Sequence, residues 1–169
     1  MKTKNKYQYP IDKKNIQIIL TRESPAHKIS RKGEISWDLR NSIDFLCKEG
    51  TPIRAAQNGI IAKIRDTQKE TYNGSKEPSE EILPQEKQDG NYIVIRHHND
   101  EFSFYGHLKY KGIVVKKEQK VKAGEVIGYS GHTGWSIKPH LHFMVFKFLG
   151  KILDEHEGLE SLEINWKQS

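Results

Sequence analysis

The sequence is poor in cysteine and has no long apolar run. Its single cysteine, Cys47, excludes a disulfide within the chain and leaves the redox compartment undetermined. Cys47 ends an apolar stretch, where cysteine usually acts as a small hydrophobic side chain rather than a nucleophile. No stretch is apolar enough over a sufficient length to span a bilayer, and residues 1–15 lack the apolar centre of a signal peptide. We therefore expect a soluble chain with no transmembrane segment.

Positive charge is in modest excess, with 28 Lys+Arg against 22 Asp+Glu and a net charge of +6. Such a surplus favours anionic polymers, including nucleic acid, wall polymers and acidic membrane surfaces. The basic residues are interleaved with acids, however, and no strip of arginine and aromatic residues is present. A solvated lysine-rich surface is the simpler interpretation, and we do not expect nucleic-acid binding.

Helical periodicity is almost absent, and short β-rich runs separated by turn residues dominate the chain. This pattern predicts an all-β fold, with a single antiparallel sheet or sandwich and long loops over one face. The predicted strands are Ile16–Thr21, Ser42–Cys47, Ile60–Ile64, Tyr92–Arg96, Phe102–His107, Val114–Val115, Val126–Ser130 and His140–Phe146.

The length of 169 residues favours one domain. We expect residues 1–169 to form a single domain with its core over about residues 15–150. Residues 67–89 are polar, contain two prolines and show almost no periodicity. They are predicted to form a surface loop or a partly disordered insertion.

The most informative motif is His140-Leu141-His142 on the last predicted strand. Side chains alternate along a strand, so His140 and His142 share one face, with their bases about 7 Å apart at ~3.3 Å per residue. One ring can then bind a metal while the other reaches towards a water or substrate. Taken alone, this pattern is more typical of two partly exposed histidines.

Two other residues add to this motif. His107 ends a predicted strand, and Asp44 stands between Ile43 and Phe45 in another. A carboxylate within an apolar strand is costly unless it is paired, hydrogen-bonded or bound to a metal. A buried salt bridge or an edge position facing water would explain Asp44 equally well.

Five stretches in this order resemble the M23 family, the lysostaphin and LytM-type zinc endopeptidases of bacterial cell walls. They are IDFLCKEGTPIRAAQNGII, NYIVIRH, FSFYGHL, VKKEQKVKAGEVIGYSGHTGW and PHLHFMV. The resemblance implies an antiparallel sheet with a groove bordered by loops. It also implies zinc (Zn²⁺) bound by Asp44 and His142, with His107 and His140 as catalytic residues that do not bind the metal.

The first metal ligand departs from the family pattern. Many members have H-x-x-x-D, which would place a histidine where this sequence has Arg40. Arginine cannot bind zinc because its guanidinium stays protonated. Some members have a longer interval, and His27 is the one histidine before Asp44. We expect His27 to be the third ligand. The alternative is that His27 has no role and the metal site is lost.

The resemblance implies a zinc metalloendopeptidase that cleaves the stem or cross-bridge peptides of peptidoglycan, in the cell envelope or after secretion. The alternative is a non-catalytic M23-like binding or activator module with an incomplete metal site. A basic wall-binding or nucleic-acid-binding β-domain is a third possibility, and its affinity would fall steeply with salt. We expect a monomer.

Overall fold

The structure, a computed structural model, describes residues 1–21, 24, 27–32, 34–73, 85–150 and 158–168. Helical segments in these ranges are a 3₁₀ turn at Lys13–Asn15, a second at His98–Asp100, and α1 (Gln85–Gln88). None of these has the length and apolar character needed to cross a membrane. The strands are β1 (Ile18–Leu20), β2 (Ile29–Lys32), β3 (Ile35–Asp38), β4 (Ile43–Leu46), β5 (Pro52–Arg54), β6 (Gly59–Arg65), β7 (Thr71–Tyr72), β8 (Asn91–Arg96), β9 (Phe102–Leu108), β10 (Lys120–Val121), β11 (Val126–Tyr129), β12 (Gly134–Trp135), β13 (His140–Phe148) and β14 (Leu159–Ser161).

The main sheet is built around β13. Its strand order is β10-β6-β8-β9-β13-β14-β3-β2, and β4 also pairs with β13 and carries β1 on its outer side. Strand β13 is long enough to pair with β4 near its start and with β14 near its end. Two short pairs, β11-β5 and β12-β7, lie outside this sheet.

Alternation along β13 separates the two faces of the sheet. Leu141, Phe143 and Val145 point into the larger apolar cluster, whereas Met144 and Phe146 belong to a second cluster on the opposite face. Because side chains alternate with a period of two, His140 and His142 share the face of Met144 and Phe146. Packing in the larger cluster thus fixes the position of β13. On the opposite face, the start of the strand carries polar side chains, His140 and His142.

The N-terminal segment closes the larger cluster. Tyr7 and Ile11 are fully or almost fully buried in it. The ring of Tyr9 stacks on Trp166 at 4.6 Å between centroids. Bridges join Lys2 to Glu163 and Tyr7 to Trp166. The two ends of the described chain therefore pack side by side over the core.

The all-β prediction is confirmed, with a mixed rather than purely antiparallel arrangement. Strand β14 pairs with β3 in parallel, and so does β12 with β7. The strand predicted at Val114–Val115 is wrong. Neither residue belongs to a strand, although Val114 donates a backbone hydrogen bond to the Ile127 carbonyl. Residues 114–115 have high β-propensity, but the position of a segment in the fold overrides propensity.

The polar insertion at 67–89 is more ordered at its ends than predicted. Strand β7 and helix α1 lie within it, and the side chains of Gln68 and Gln88 are buried. Residues 74–84 of the predicted loop lie outside the described residues. Both ends of the insertion thus belong to the packed structure.

His97 lies in a buried polar chain on the side of the sheet facing the N-terminal segment. Its Nδ1 donates to the Asn58 carbonyl at 2.8 Å, and its Nε2 lies 2.7 Å from the Ser103 hydroxyl. Burial lowers the pKa of His97 below its ordinary value of 6.5, although the Asn58 carbonyl and Glu101 act in the opposite direction. The folded protein therefore favours the neutral ring.

This environment predicts a loss of stability in mild acid. Below pH 6.5 the unfolded chain binds a proton at His97 that the folded state resists, so the free energy of unfolding should fall with pH there. In urea titrations of metal-free protein at pH 7 and pH 5, the His97→Gln variant should lose less stability than the wild type over this interval. An equal loss in both proteins would contradict this role.

Candidate functional site

Strand register aligns the polar residues of two neighbouring strands, β4 and β13, beside β9. His142 is opposite Asp44 on β4 and opposite Gly106 on β9. The core side chains Phe45, Tyr105 and Phe143 lie on the other face of the same strands. A shift of one residue in this register would turn the histidines towards the core, so apolar packing fixes their position.

The Asp44 carboxylate lies among three histidines. Its Oδ1 is 2.8 Å from His142 Nδ1, 3.2 Å from His27 Nε2 and 3.7 Å from His140 Nε2. Burial alone would raise the pKa of Asp44, but hydrogen bonds from His142 and His27 hold it well below its ordinary value. Burial likewise opposes protonation of His142, yet the contact with Asp44 raises the pKa of that ring. Asp44 is therefore a buried anion.

His27 reaches the site from the segment before β2. Its side chain is fully buried, and its ring centroid lies 5.2 Å from that of His142. Its Nδ1 contacts the Thr21 carbonyl, which can only accept, so Nδ1 carries the hydrogen. The other ring nitrogen, Nε2, therefore faces the Asp44 carboxylate at 3.2 Å.

The nitrogen and oxygen donors of His27, Asp44 and His142 all lie within 4.8 Å of one another. Two imidazoles and one carboxylate form a donor set that zinc accepts in catalytic sites. Arg40 takes no part in this cluster, because its guanidinium makes two hydrogen bonds to the Asp38 carboxylate, at 3.0 and 2.8 Å. The residues present thus fit a metal ion without any contribution from position 40.

His107 and His140 form a second pair beside this cluster, with ring centroids 4.5 Å apart. The Nδ1 of His107 donates to the Thr133 carbonyl at 2.8 Å, and that of His140 donates to the Lys138 carbonyl at 2.8 Å. In neutral rings these bonds leave Nε2 as the lone-pair nitrogen. Burial lowers the pKa of both rings, and for His107 the neighbouring histidines add to the shift.

The backbone of His107 is unusual. Its φ of 57° lies in the left-handed region, which is uncommon for a residue with a side chain and costs about 1–3 kcal/mol. Its N–H donates to the Asp89 carbonyl at 3.0 Å. Strain of this kind persists only where the surroundings determine the conformation, and it clusters at functional positions.

A cleft of about 350 Å³ opens beside the proposed metal ligands and the second histidine pair. Asp44, His107, His140 and His142 line it together with a wall that is mostly apolar. That wall includes Ile18, Leu20, Leu46, Trp135 and Ile137, and Lys138 is also among the lining residues. An extended peptide could lie against the apolar wall with a carbonyl near the histidines.

Several contributors to the site were not predicted from the sequence. The carbonyls of Thr21, Thr133 and Lys138 orient three rings, and a backbone acceptor leaves no side-chain signal in a sequence. His132, which had no predicted task, lies near the site with its Nε2 bonded to the Ser136 carbonyl at 2.8 Å. His156 lies outside the described residues.

The sequence is similar to those of several known proteins. The DD-carboxypeptidase/endopeptidase Mpg of Neisseria meningitidis serogroup B is 35% identical over 108 residues, covering 64% of this chain and 20% of that protein. The peptidoglycan DD-endopeptidase ShyA of Vibrio cholerae serotype O1 is 36% identical over 103 residues, covering 61% and 19%. The chain thus spans about a fifth of the length of these relatives.

A solved structure of a zinc-containing peptidase from Vibrio cholerae matches with a TM-score of 0.54 and 29% identity. The match covers 83% of this chain and 36% of that one. The family model of Peptidase family M23 matches residues 38–155, which begin after His27 and include Asp44, His107, His140 and His142. The chain belongs to Peptidase family M23.

Proposed function

We propose that this protein is a zinc-dependent endopeptidase that hydrolyses peptide bonds in peptidoglycan stem or cross-bridge peptides. The observation that carries the proposal is the convergence of donor atoms from His27, Asp44 and His142 within 4.8 Å. Two further buried histidines with free lone pairs line the same cleft as Asp44 and His142. The names of the relatives, among them two peptidoglycan DD-endopeptidases, support this substrate class.

His27, Asp44 and His142 are the proposed zinc ligands. When bound, zinc would supply a Lewis acid that activates water and polarises the scissile carbonyl. The chain prepares its ligands in advance. The Thr21 carbonyl fixes the His27 ring, and pairing of β4 with β13 sets Asp44 opposite His142. Outer partners of this kind orient metal ligands and strengthen binding.

His107 and His140 are the proposed catalytic residues. Each ring is buried and neutral, and its Nδ1 is fixed by a backbone carbonyl, so Nε2 can accept a proton from an attacking water. A ring protonated at Nε2 then becomes a donor, either to the oxyanion of the tetrahedral intermediate or to the leaving amine. The two rings are 4.5 Å apart, close enough to divide these tasks around one scissile bond.

A peptidoglycan substrate would place the working protein in the cell envelope or outside the cell. We also propose that residues 1–169 act as a single domain and as a monomer.

The alternative of a non-catalytic binding or activator module predicts that wall peptides bind without being cleaved. The first experiment is therefore release of free amines from purified peptidoglycan by zinc-loaded protein. Binding without amine release would favour the module.

The ligand set predicts which substitutions abolish metal binding. The His27→Ala variant should bind zinc more than about 100-fold more weakly, since even losing an outer-shell partner costs 10–100-fold. The His142→Ala variant should lose binding as well. Isothermal titration of metal-free protein with zinc would measure both. Arg40→Ala is the matched control, because Arg40 pairs with Asp38 and should not affect affinity. If His27→Ala binds zinc as tightly as the wild type, His27 is not a ligand.

Substitution of either proposed catalytic histidine should slow hydrolysis without abolishing zinc binding. The His107→Ala and His140→Ala variants should retain zinc but release amines from peptidoglycan ~10²–10⁴-fold more slowly, the usual range for loss of a general acid or base. His98→Ala, which removes an exposed histidine, should hydrolyse at the wild-type rate. Full activity in either buried variant would exclude that histidine from the reaction.

A further inference from the structure

The loop formed by residues 131–139 orients both proposed catalytic histidines. It contains strand β12 and leads into His140. The Thr133 carbonyl accepts from His107 Nδ1, and the Lys138 carbonyl accepts from His140 Nδ1, both at 2.8 Å. The Ser136 hydroxyl also donates to the Lys138 carbonyl at 2.9 Å. The ring planes of His107 and His140 therefore depend on the position of this loop.

The first end of the polar insertion runs alongside that loop. Strand β7 pairs in parallel with β12, with Thr71 opposite Gly134 and Tyr72 opposite Trp135. The Gly134 N–H donates to the Glu70 carbonyl at 3.0 Å, and the Ser136 N–H donates to the Tyr72 carbonyl at 2.9 Å. The Thr71 hydroxyl donates to the His132 carbonyl. Four loop residues, His132, Gly134, Trp135 and Ser136, are thus hydrogen-bonded or paired to residues 70–72.

The second end of the insertion and the start of β8 also pack against this loop. The Asn91 N–H donates to the Thr133 hydroxyl at 2.9 Å. Gly134 has a φ of 78°, and a Cβ there would lie 2.3 Å from the Gln88 carbonyl oxygen. The His107 N–H also donates to the Asp89 carbonyl. The loop is therefore held by both ends of the insertion, with no room for a side chain at position 134.

We propose that β7 acts as a strap that fixes the 131–139 loop, with Thr71 as its positioning residue, so that the loop carbonyls hold His107 and His140 in reactive orientations. This inference rests on the proposed function of those two histidines. Thr71 itself is exposed, and its hydroxyl bonds to the His132 carbonyl rather than to any group in the cleft. Its contribution is thus to the placement of other groups and not to substrate or metal.

The Thr71→Val substitution removes one hydrogen bond with little change in side-chain shape. Valine has the shape of threonine without the hydroxyl, and both residues favour strands, so Thr71→Val should preserve the pairing of β7 while losing the bond to His132. A displacement of 1 Å can cost 10²-fold in rate. With the β7-β12 backbone bonds still present, we expect kcat for a peptidoglycan peptide to fall by about 10-fold, with KM and zinc affinity unchanged.

Two further variants sharpen the test. Thr71→Ser keeps a hydroxyl and should restore kcat to within about twofold of wild type, since its donor remains in reach. Thr3→Val is the matched control. It removes a threonine hydroxyl whose partners, Asn5 and Asn165, belong to the terminal segments, so kcat should not change even if stability falls. An unchanged kcat in Thr71→Val, or a serine variant as impaired as the valine variant, would overturn the proposal.

A readout that does not depend on activity separates this proposal from the proposed function. In ¹H–¹⁵N spectra of zinc-loaded protein, the hydrogen-bonded Nδ1–H groups of His107 and His140 should give slowly exchanging ring signals, assigned by their loss in the alanine variants. Thr71→Val should accelerate their exchange with water, and Thr3→Val should not. If the wild type cleaves no wall peptide but this difference in exchange is seen, the proposed endopeptidase function is wrong and the role of β7 in fixing the loop is supported. If exchange is the same in all three proteins, the strap is wrong.

Discussion

The Asp44 carboxylate is a charge taken out of water within an apolar sheet, and most of the site is arranged around it. An isolated buried carboxylate costs several kcal/mol even after relaxation, so it persists only with close cationic or hydrogen-bonding partners. His142 and His27 supply them at 2.8 and 3.2 Å. Removing one partner would leave the charge uncompensated. A divalent cation bound beside Asp44 would offset the same cost, which favours its binding there.

The framework that holds this charge is apolar packing on the opposite face of the same strands. Phe45 precedes Leu46 on β4 and follows Asp44, while Leu141 and Phe143 flank His142 on β13. All three apolar side chains are fully buried in the larger cluster. Because burial of each such side chain contributes roughly 1.5–3 kcal/mol, the register of the proposed metal ligands is fixed by apolar contacts on the opposite face of the sheet.

Strand alternation explains how much of the site could be predicted. The spacing of His140 and His142 predicted that both rings share one face of their strand, and the pattern Ile43-Asp44-Phe45 predicted that Asp44 points away from its apolar neighbours. His27 followed from the family resemblance and from the arginine at position 40. The structure brings His27 to Asp44, although the family match begins only at residue 38. Side-chain alternation does not show which distant strands pair, so the pairing of β4 with β13 could not be predicted from it.

Other features were beyond sequence reasoning because they depend on backbone atoms and on tertiary context. The carbonyls that orient His27, His107 and His140 belong to residues whose side chains carry no such information. Strand β7 has only two residues and exists through its pairing with β12, so no periodicity could indicate it. Conversely, Val114 and Val115 have β-propensity but lie in a connection without strand structure.

In the proposed metal site, His27 supplies the ligand that position 40 cannot provide. A crystal structure of the zinc-loaded protein, with anomalous data collected at the zinc absorption edge, tests it most directly. We expect one anomalous peak about 2.0–2.2 Å from a nitrogen of His27, a nitrogen of His142 and an oxygen of Asp44. A peak bound by Asp44 and His142 with His27 turned away, or no peak in this cleft, would contradict it.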